Sequence, residues 1–446
     1  MNNNKILFWS ITVALAGFLF GFDTVVISGA EQQLQALWKT SNEFHGFIMS
    51  TALWGTVIGA IFGSFPTNRL GRKRTLIWIG ILYFISALGS ALVSDPYTFG
   101  VFRFIGGLGV GASTIAAPAY ISEIAPPKNR GKLVALYQFN IVFGILIAFI
   151  SNSALRGFGD EAWRWMVGVE AIPALLYTLL VSRVPQSPRW LATIKKDLEK
   201  AKEVLQQINP GLAVDELLQS MQEKKISRGV DIGGNIIERR YRSLAFLAFA
   251  IAFFNQLSGI NAILYYSPRI FAEAGLGEST AFISSIGLGL INLVATLLGL
   301  YLIDRIGRRT LMLIGSFGYI VSLGMVAAAF FLGWQGLAVP IFLFLFIASH
   351  AVGQGAVIWV FISEIFPNHL RAQGQSLGSS THWVLAALIT VFMPPLLSSE
   401  SINPGVVFVV FALMMVLQLI WVLTAMPETK GVSLEDLEDK LMEKHG

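Results

Sequence analysis

The stretch Asn68-Arg-Leu-Gly-Arg-Lys-Arg-Thr75 returns in the second half of the chain as Asp304-Arg-Ile-Gly-Arg-Arg-Thr310. A second motif behaves the same way: Ile121-Ser-Glu-Ile-Ala-Pro126 returns as Ile362-Ser-Glu-Ile-Phe-Pro367. The shifts are 236 residues (68 to 304) and 241 residues (123 to 364), so two separate motifs move together. A near-constant shift over half the chain marks an internal duplication. Long apolar runs flank each copy, and they decide the fold.

A helix crosses a bilayer with about 20 predominantly apolar residues. Twelve stretches qualify: 6–30, 46–66, 75–93, 98–120, 131–152, 163–183, 244–270, 279–303, 310–332, 338–362, 374–397 and 404–426. The longest polar stretch, 184–243, separates six from six. Within it, Leu198, Ala201, Val204, Leu205 and Ile208 recur at helical spacing among alternating charges, which predicts short amphipathic helices. The expected fold is therefore an all-α membrane protein. It has twelve transmembrane helices in two six-helix halves, 1–183 and 244–426, a helical linker at 184–243 and a tail at 427–446. Parallel repeats about an axis normal to the membrane suit a rocking transporter. A channel would more often show a pore loop and subunit symmetry.

Composition agrees. Of 446 residues, 54% are hydrophobic and 13% charged, against about 25% charged in an average soluble domain. A single soluble core cannot hide that much apolar surface. With no Cys there is no disulfide, thiolate nucleophile or Cys-ligated metal, and five His do not suggest a multi-His site. No nucleophile–base pair is visible, so neither an enzyme nor a cofactor is expected. The net charge of +5 could suggest nucleic acid, but its placement argues otherwise. Apart from Lys39, Arg103, Arg156, Arg164 and Arg269, the other 27 of 32 Lys and Arg fall at the N-terminus, in alternate loops or in the tail. That is the positive-inside pattern, and it predicts both termini in the cytoplasm. The first apolar stretch follows Lys5 and ends in Ser28-Gly-Ala30, which imitates a signal peptide. Its length and its Asp23 predict a retained helix instead.

At this point the residues resemble a known family, the sugar porters of the major facilitator superfamily, in particular bacterial proton-coupled xylose/glucose-type symporters. The resemblance rests on the two repeated motifs and on Arg103-Phe-Ile-Gly-Gly-Leu-Gly-Val-Gly111. It rests further on Pro118-Ala-Tyr-Ile-Ser-Glu123 through Arg130-Gly131, and on Pro185-Gln-Ser-Pro-Arg-Trp190. Gln256-Leu-Ser-Gly-Ile-Asn261 and Pro427-Glu-Thr-Lys-Gly431 complete the set. Two positions depart from the family pattern: Asn68, where Asp is usual, and Gln186, where Glu is usual.

Three sites follow. The first is a charged latch: Gly71 and Gly307 permit tight turns, so the flanking Arg72 and Arg308 can reach Glu123 and Glu364, with Arg130 and Arg371 seven residues further on. Such a network, shared between two rigid halves, biases a two-state equilibrium.

The second site is a polar lining. Amides in apolar spans need partners, because hydrocarbon offers none. Gln138, Asn255, Gln256, Asn261 and Asn292 sit in the fifth, seventh and eighth spans, and Ser258-Gly259 would let the seventh helix break. Tyr265 follows; Gly355 and Trp359 lie in the tenth span, and His382 and Trp383 in the eleventh. Amides donate and accept as hydroxyls do, and an aromatic face covers the C–H side of a pyranose, so a sugar fits this mixture. The resemblance implies that Gln138, Gln256, Asn261, Asn292, Trp359 and Trp383 contact the sugar. Asn255 and His382 depart from the family, and His350 adds another polar group in the tenth span, so the particular sugar stays open.

The third site is Asp23, an acid within the first span, with Arg103 as its expected partner. An intramembrane carboxylate is costly and needs a reason, either a static ion pair or proton coupling. The resemblance implies coupling, because facilitators in the family usually lack an acid here and proton symporters have one. Glu170, near the outer end of the sixth span, is a weaker candidate for that role and is expected to be structural. The expected partners are thus a monosaccharide, a proton and the lipid bilayer, with no nucleic acid, and with the monomer as working unit. The short 31–45 loop and the absence of an Asn-x-Ser/Thr sequon favour a bacterial inner membrane. A uniporter is the nearest rival reading, and a non-transporting sugar sensor a more distant one.

Overall fold

The computed structural model describes residues 3–126, 129–208, 235, 236, 238–367 and 370–431. Twelve helices in it are long and apolar enough to cross a membrane: Asn4–Trp38, Asn42–Phe62, Arg72–Leu92, Pro96–Ile124, Arg130–Leu155, Ala162–Ser182, Arg239–Tyr265, Glu278–Ile306, Arg308–Leu332, Ala338–Ile365, Arg371–Leu397 and Gly405–Thr424. We refer to them as spans 1 to 12. Described residues contain no strand. Large side chains such as Trp78, Leu92, Phe246, Val294 and Phe317 stand exposed on the outside of the bundle, as lipid-facing positions require.

The duplication in the sequence is a duplication in space. Span 1 packs on span 5, 2 on 4, and 3 on both 4 and 6; adding six to each number gives 7 on 11, 8 on 10, and 9 on both 10 and 12. The contacts between halves obey the same rule, span 2 on span 11 and span 8 on span 5. An even number of spans puts both chain ends on one side, called here the termini face; the opposite side is the far face. Beyond span 6, short helices at Pro188–Trp190, Leu191–Lys195 and Leu198–Ile208 lie on the termini face. In the last, Ala201, Val204, Leu205 and Ile208 are buried, as the spacing predicts, while Leu198 at its start is exposed. The rest of the expected linker and tail, 209–234 and 432–446, lies outside the described residues.

Three spans are broken. Span 6 is Ala162–Gly168 followed by Ala171–Ser182, with Glu170 at the joint. Span 7 runs Arg242–Leu257, turns at Gly259, resumes at Ile260–Tyr265 and continues beyond the span as Ser267–Glu273. Span 10 is Ala338–Val352 and Gln354–Ile365, with Gly353 between. At Gly259, φ is +84°, and a Cβ there would lie 2.4 Å from the Phe411 ring. Both the backbone angle and the close approach require glycine. Breaks of this kind place backbone and side-chain polar groups at mid-membrane, where a substrate can use them.

Candidate functional site

On the termini face the repeated motifs build two matching networks. Gly71 and Gly307 take φ of +89° and +94°, which turns the chain sharply into spans 3 and 9. Arg72 then donates from Nη2 to Glu123 Oε1 at 2.9 Å, and Ser187 Oγ donates to Glu123 Oε2 at 2.5 Å. In the other half, Arg308 grips Glu364 with two bonds, Nε to Oε2 at 3.0 Å and Nη2 to Oε1 at 2.7 Å, and Thr429 Oγ1 donates to Oε2 at 2.6 Å. Each network has a third component that the motifs alone did not lead us to expect. Gln186 Oε1 accepts the backbone N–H of Lys73 at 2.9 Å, at the start of span 3. Glu428 accepts those of Arg308 and Arg309 at 2.9 and 3.0 Å, at the start of span 9. Burial pushes the Glu428 carboxyl up, but the N–H groups of Lys430, Arg308, Arg309 and Thr429 outweigh it and hold it below the usual carboxylate range. The signal was available in the repeat of Pro185-Gln-Ser187 as Pro427-Glu-Thr429, shifted by 242 residues. An amide oxygen caps a helix as a carboxylate does, so the departure at Gln186 keeps the geometry and loses only a charge.

Each network closes within its own half. Arg130 is exposed, and among the described residues neither it nor Arg371 forms an ion pair with Glu123 or Glu364. The expected sharing between halves is not made in this state. The halves are instead joined at the far face, where Arg156 Nη2 donates to Ser279 Oγ at 2.8 Å and spans 2 and 11 touch at Gly46 and Val391.

Midway, the polar lining converges on Gln256. Its Nε2 donates to Asn255 Oδ1 at 2.9 Å and lies 3.1 Å from the ring nitrogens of His382, while its Oε1 accepts from Asn261 Nδ2 at 2.8 Å. The break at Gly259 brings Gln256 and Asn261 together, although five residues on an ideal helix would part them by roughly 140°. Trp359 and Trp383 flank His382, with ring centroids at 5.4 and 4.7 Å. Phe20, from span 1 of the opposite half, reaches Trp383 at 5.6 Å. Gly355 lies against the ring of His350, whose Nδ1 is 2.6 Å from Tyr319 OH. Among the described residues, no hydrogen bond joins Gln138 or Asn292 to this cluster. Gln138 is half-buried on span 5, and Asn292, on span 8, is met only at 3.5 Å by Thr296.

The Asp23–Arg103 pair is formed and almost fully buried. Arg103 Nη1 donates to Asp23 Oδ1 at 2.5 Å, and Nη2 donates to the Asp23 carbonyl at 3.0 Å. Tyr265, expected in the sugar pocket, lies close to Arg103, Asp23 and Glu170. A span 7 residue thereby sits beside the charged pair of the opposite half. Glu170 belongs to the same cluster: it is 1% exposed, faces Asp23 and Arg103, and neither of its oxygens meets a donor. That environment joins it to the charged pair. The signal was a second carboxyl in an apolar span, at the joint of span 6.

Comparison with known proteins follows this geometry. The family described as "Sugar (and other) transporter" matches residues 9–441. The arabinose-proton symporter of Bacillus subtilis (strain 168) is 34% identical, over 96% of this chain and 93% of its own. The D-xylose-proton symporter of Escherichia coli (strain K12) is 32% identical, over 98% and 96%. Among solved structures, the E. coli xylose transporter in a partially occluded inward-open conformation superposes with a TM-score of 0.85, at 30% identity, covering 97% of this chain and 100% of the other. The proton:xylose symporter bound to 6-bromo-6-deoxy-D-glucose gives 0.79, at 30% identity, over 99% and 100%. The chain belongs to the sugar (and other) transporter family.

Proposed function

We propose that this protein carries a monosaccharide together with a proton across a bacterial inner membrane by alternating access, with the termini face in the cytoplasm. The observation that carries the proposal is the buried Asp23–Arg103 pair with Tyr265 of the opposite half against it. Relatives with the same span organisation are arabinose- and xylose-proton symporters, and the basic loops of the termini face fit a cytoplasmic orientation. The sugar sits on Gln256, Asn255, Asn261, His382, Trp359 and Trp383, with Gln138, Asn292 and Gly355 closing on it as the halves rock. Each side-chain amide offers both donors and an acceptor to a hydroxyl, while the tryptophans cover the C–H face.

Proton coupling follows from charge accounting. Arg103 supplies one positive charge for two buried carboxyls, Asp23 and Glu170, so a neutral cluster carries one proton. Moving that proton changes which carboxyl holds Arg103, and Tyr265 transmits the change to span 7, which carries the sugar amides. Arg72–Glu123 and Arg308–Glu364 anchor the termini ends of the two halves, with Arg130 and Arg371 available as the halves approach. The working unit is the monomer, since each of these sites is complete within one chain.

The test is transport by purified protein in liposomes, with and without an imposed pH gradient, against a panel of pentoses and hexoses. Accumulation of at least one monosaccharide driven by the gradient is expected. Exchange without accumulation under any gradient would make the protein a uniporter, and no movement of any panel sugar would remove the sugar reading itself.

A further inference from the structure

A second buried charge cluster lies at the far face and takes no part in the site above. Glu31, near the end of span 1, is completely buried. Arg269, on the short helix after span 7, donates Nε–H to Glu31 Oε1 at 3.0 Å and Nη2–H to Oε2 at 2.7 Å. The same guanidinium donates to Gln35 Oε1 at 2.5 Å and to Ser398 Oγ at 3.2 Å. His45, on span 2, places Nε2 3.0 Å from Glu31 Oε2; its side chain is fully buried, and its Nδ1 has no partner. Glu31 and His45 belong to one half and Arg269 to the other.

We propose that Glu31 is the far-face latch of this transporter, held by Arg269 of the opposite half when that face is closed and by a proton on His45 of its own half when it is open. The proposal rests on the alternating-access reading. While the face is closed, Arg269 supplies the positive charge that a buried carboxylate requires, in the two-pronged geometry that arginine makes well. A second charge on His45 would sit on the buried Nδ1 edge, which has no acceptor. When the halves part, Arg269 leaves with its half, and Glu31 and His45 stay together. Water then reaches Nδ1, and a proton there leaves the Nε2–H bond to Glu31 intact. The other titratable groups facing the cluster are Tyr266, whose hydroxyl donates to the Thr390 carbonyl at 3.1 Å, and Glu273, beside Arg269. Ser398, just past the end of span 11, adds its hydroxyl. Because the open form binds the extra proton, falling pH favours it.

The chain has no Cys, so spin labels attach only where cysteines are introduced. Asp160→Cys and Gln335→Cys label exposed far-face loops of the two halves. In full-length protein carrying Asp23→Asn, so that the Asp23 carboxyl cannot titrate, the distance distribution should show a short, closed population and a longer one that grows as pH falls from about 8 to 5. Arg269→Gln should raise the open-to-closed ratio at neutral pH roughly tenfold. His45→Gln, which still donates to Glu31 but cannot take a proton, should keep the closed population and lose the growth at low pH. Glu31→Gln gives a second route: it should raise the ratio and abolish the pH response together. An unchanged ratio in Arg269→Gln, or a pH response in His45→Gln equal to that of its background, would overturn the latch. The readout is a distance rather than transport, so a parent that never accumulates sugar would sink the coupling proposal and leave this one standing.

Discussion

Gln256 holds three partners at once, Asn255, Asn261 and His382, so one substitution there loosens the whole polar lining. Gln256→Ala is expected to weaken sugar binding by about 0.5–1.5 kcal/mol per lost hydrogen bond to a sugar hydroxyl, read by calorimetry, with membrane insertion intact. Trp359→Ala should weaken it as well, through lost contact with the C–H face. If both variants bind every panel sugar as tightly as the parent, the pocket lies elsewhere. The residues of this cluster were legible because amides are rare in apolar spans and conspicuous there. Asp23 and Arg103 were legible for the same reason. The nearness of Tyr265 to Arg103 was not legible, because a tyrosine gives no sign of which polar neighbour its hydroxyl will face. Glu31 and His45 were not singled out, and Arg269 was read only as a charge on the far side, because a polar residue near the end of a span is ordinary.

The elements were legible as apolar lengths and less so as helices. Span 1 reads as 6–30 by hydropathy, yet its helix runs to Trp38, because backbone hydrogen bonding continues after the side chains turn polar. Spans 6 and 10 read as continuous and are broken at Glu170 and Gly353, since an average over apolar residues does not register one lost turn. The break in span 7 was visible, because Ser258-Gly259 interrupts a run of good helix formers. Gly259→Ala tests what that break does. A side chain at this φ costs about 1–2 kcal/mol before the clash with Phe411 is counted. The variant should therefore unfold at lower temperature and bind sugar more weakly, since Gln256 and Asn261 no longer meet. A variant with the parent's melting temperature and affinity would mean that the break is incidental. On the termini face, Glu364→Gln should leave sugar binding nearly intact while changing turnover, because it weakens the hold on Arg308 and Thr429 by about 1–3 kcal/mol. Unchanged transport rates would reduce the motif to an orientation signal.

At the scale of the whole molecule, the contacts between spans repeat on adding six to each span number, so the chain forms two matching halves. The halves meet at the far face, where a Cβ on Gly46 would lie 2.0 Å from the Val391 carbonyl oxygen. Gly46→Trp leaves no room for spans 2 and 11 to approach, so that face should be held open, with sugar still bound and transport lost; normal transport by this variant would show that closure there is not required. The duplication itself was readable in two short motifs, but which of the charged residues pair was not, because the motifs place several Arg and Glu within reach of one another. The central claim is that a proton on the Asp23 cluster drives sugar movement, and Asp23→Asn in liposomes tests it most directly. The amide is permanently neutral and cannot cycle, and it lies away from Gln256 and Trp359. Two fluxes are measured on the same preparation: accumulation under an imposed pH gradient, and exchange of labelled for unlabelled sugar without one. The parent is expected to do both and the Asn variant only the exchange. An Asn variant that still concentrates sugar would contradict the account.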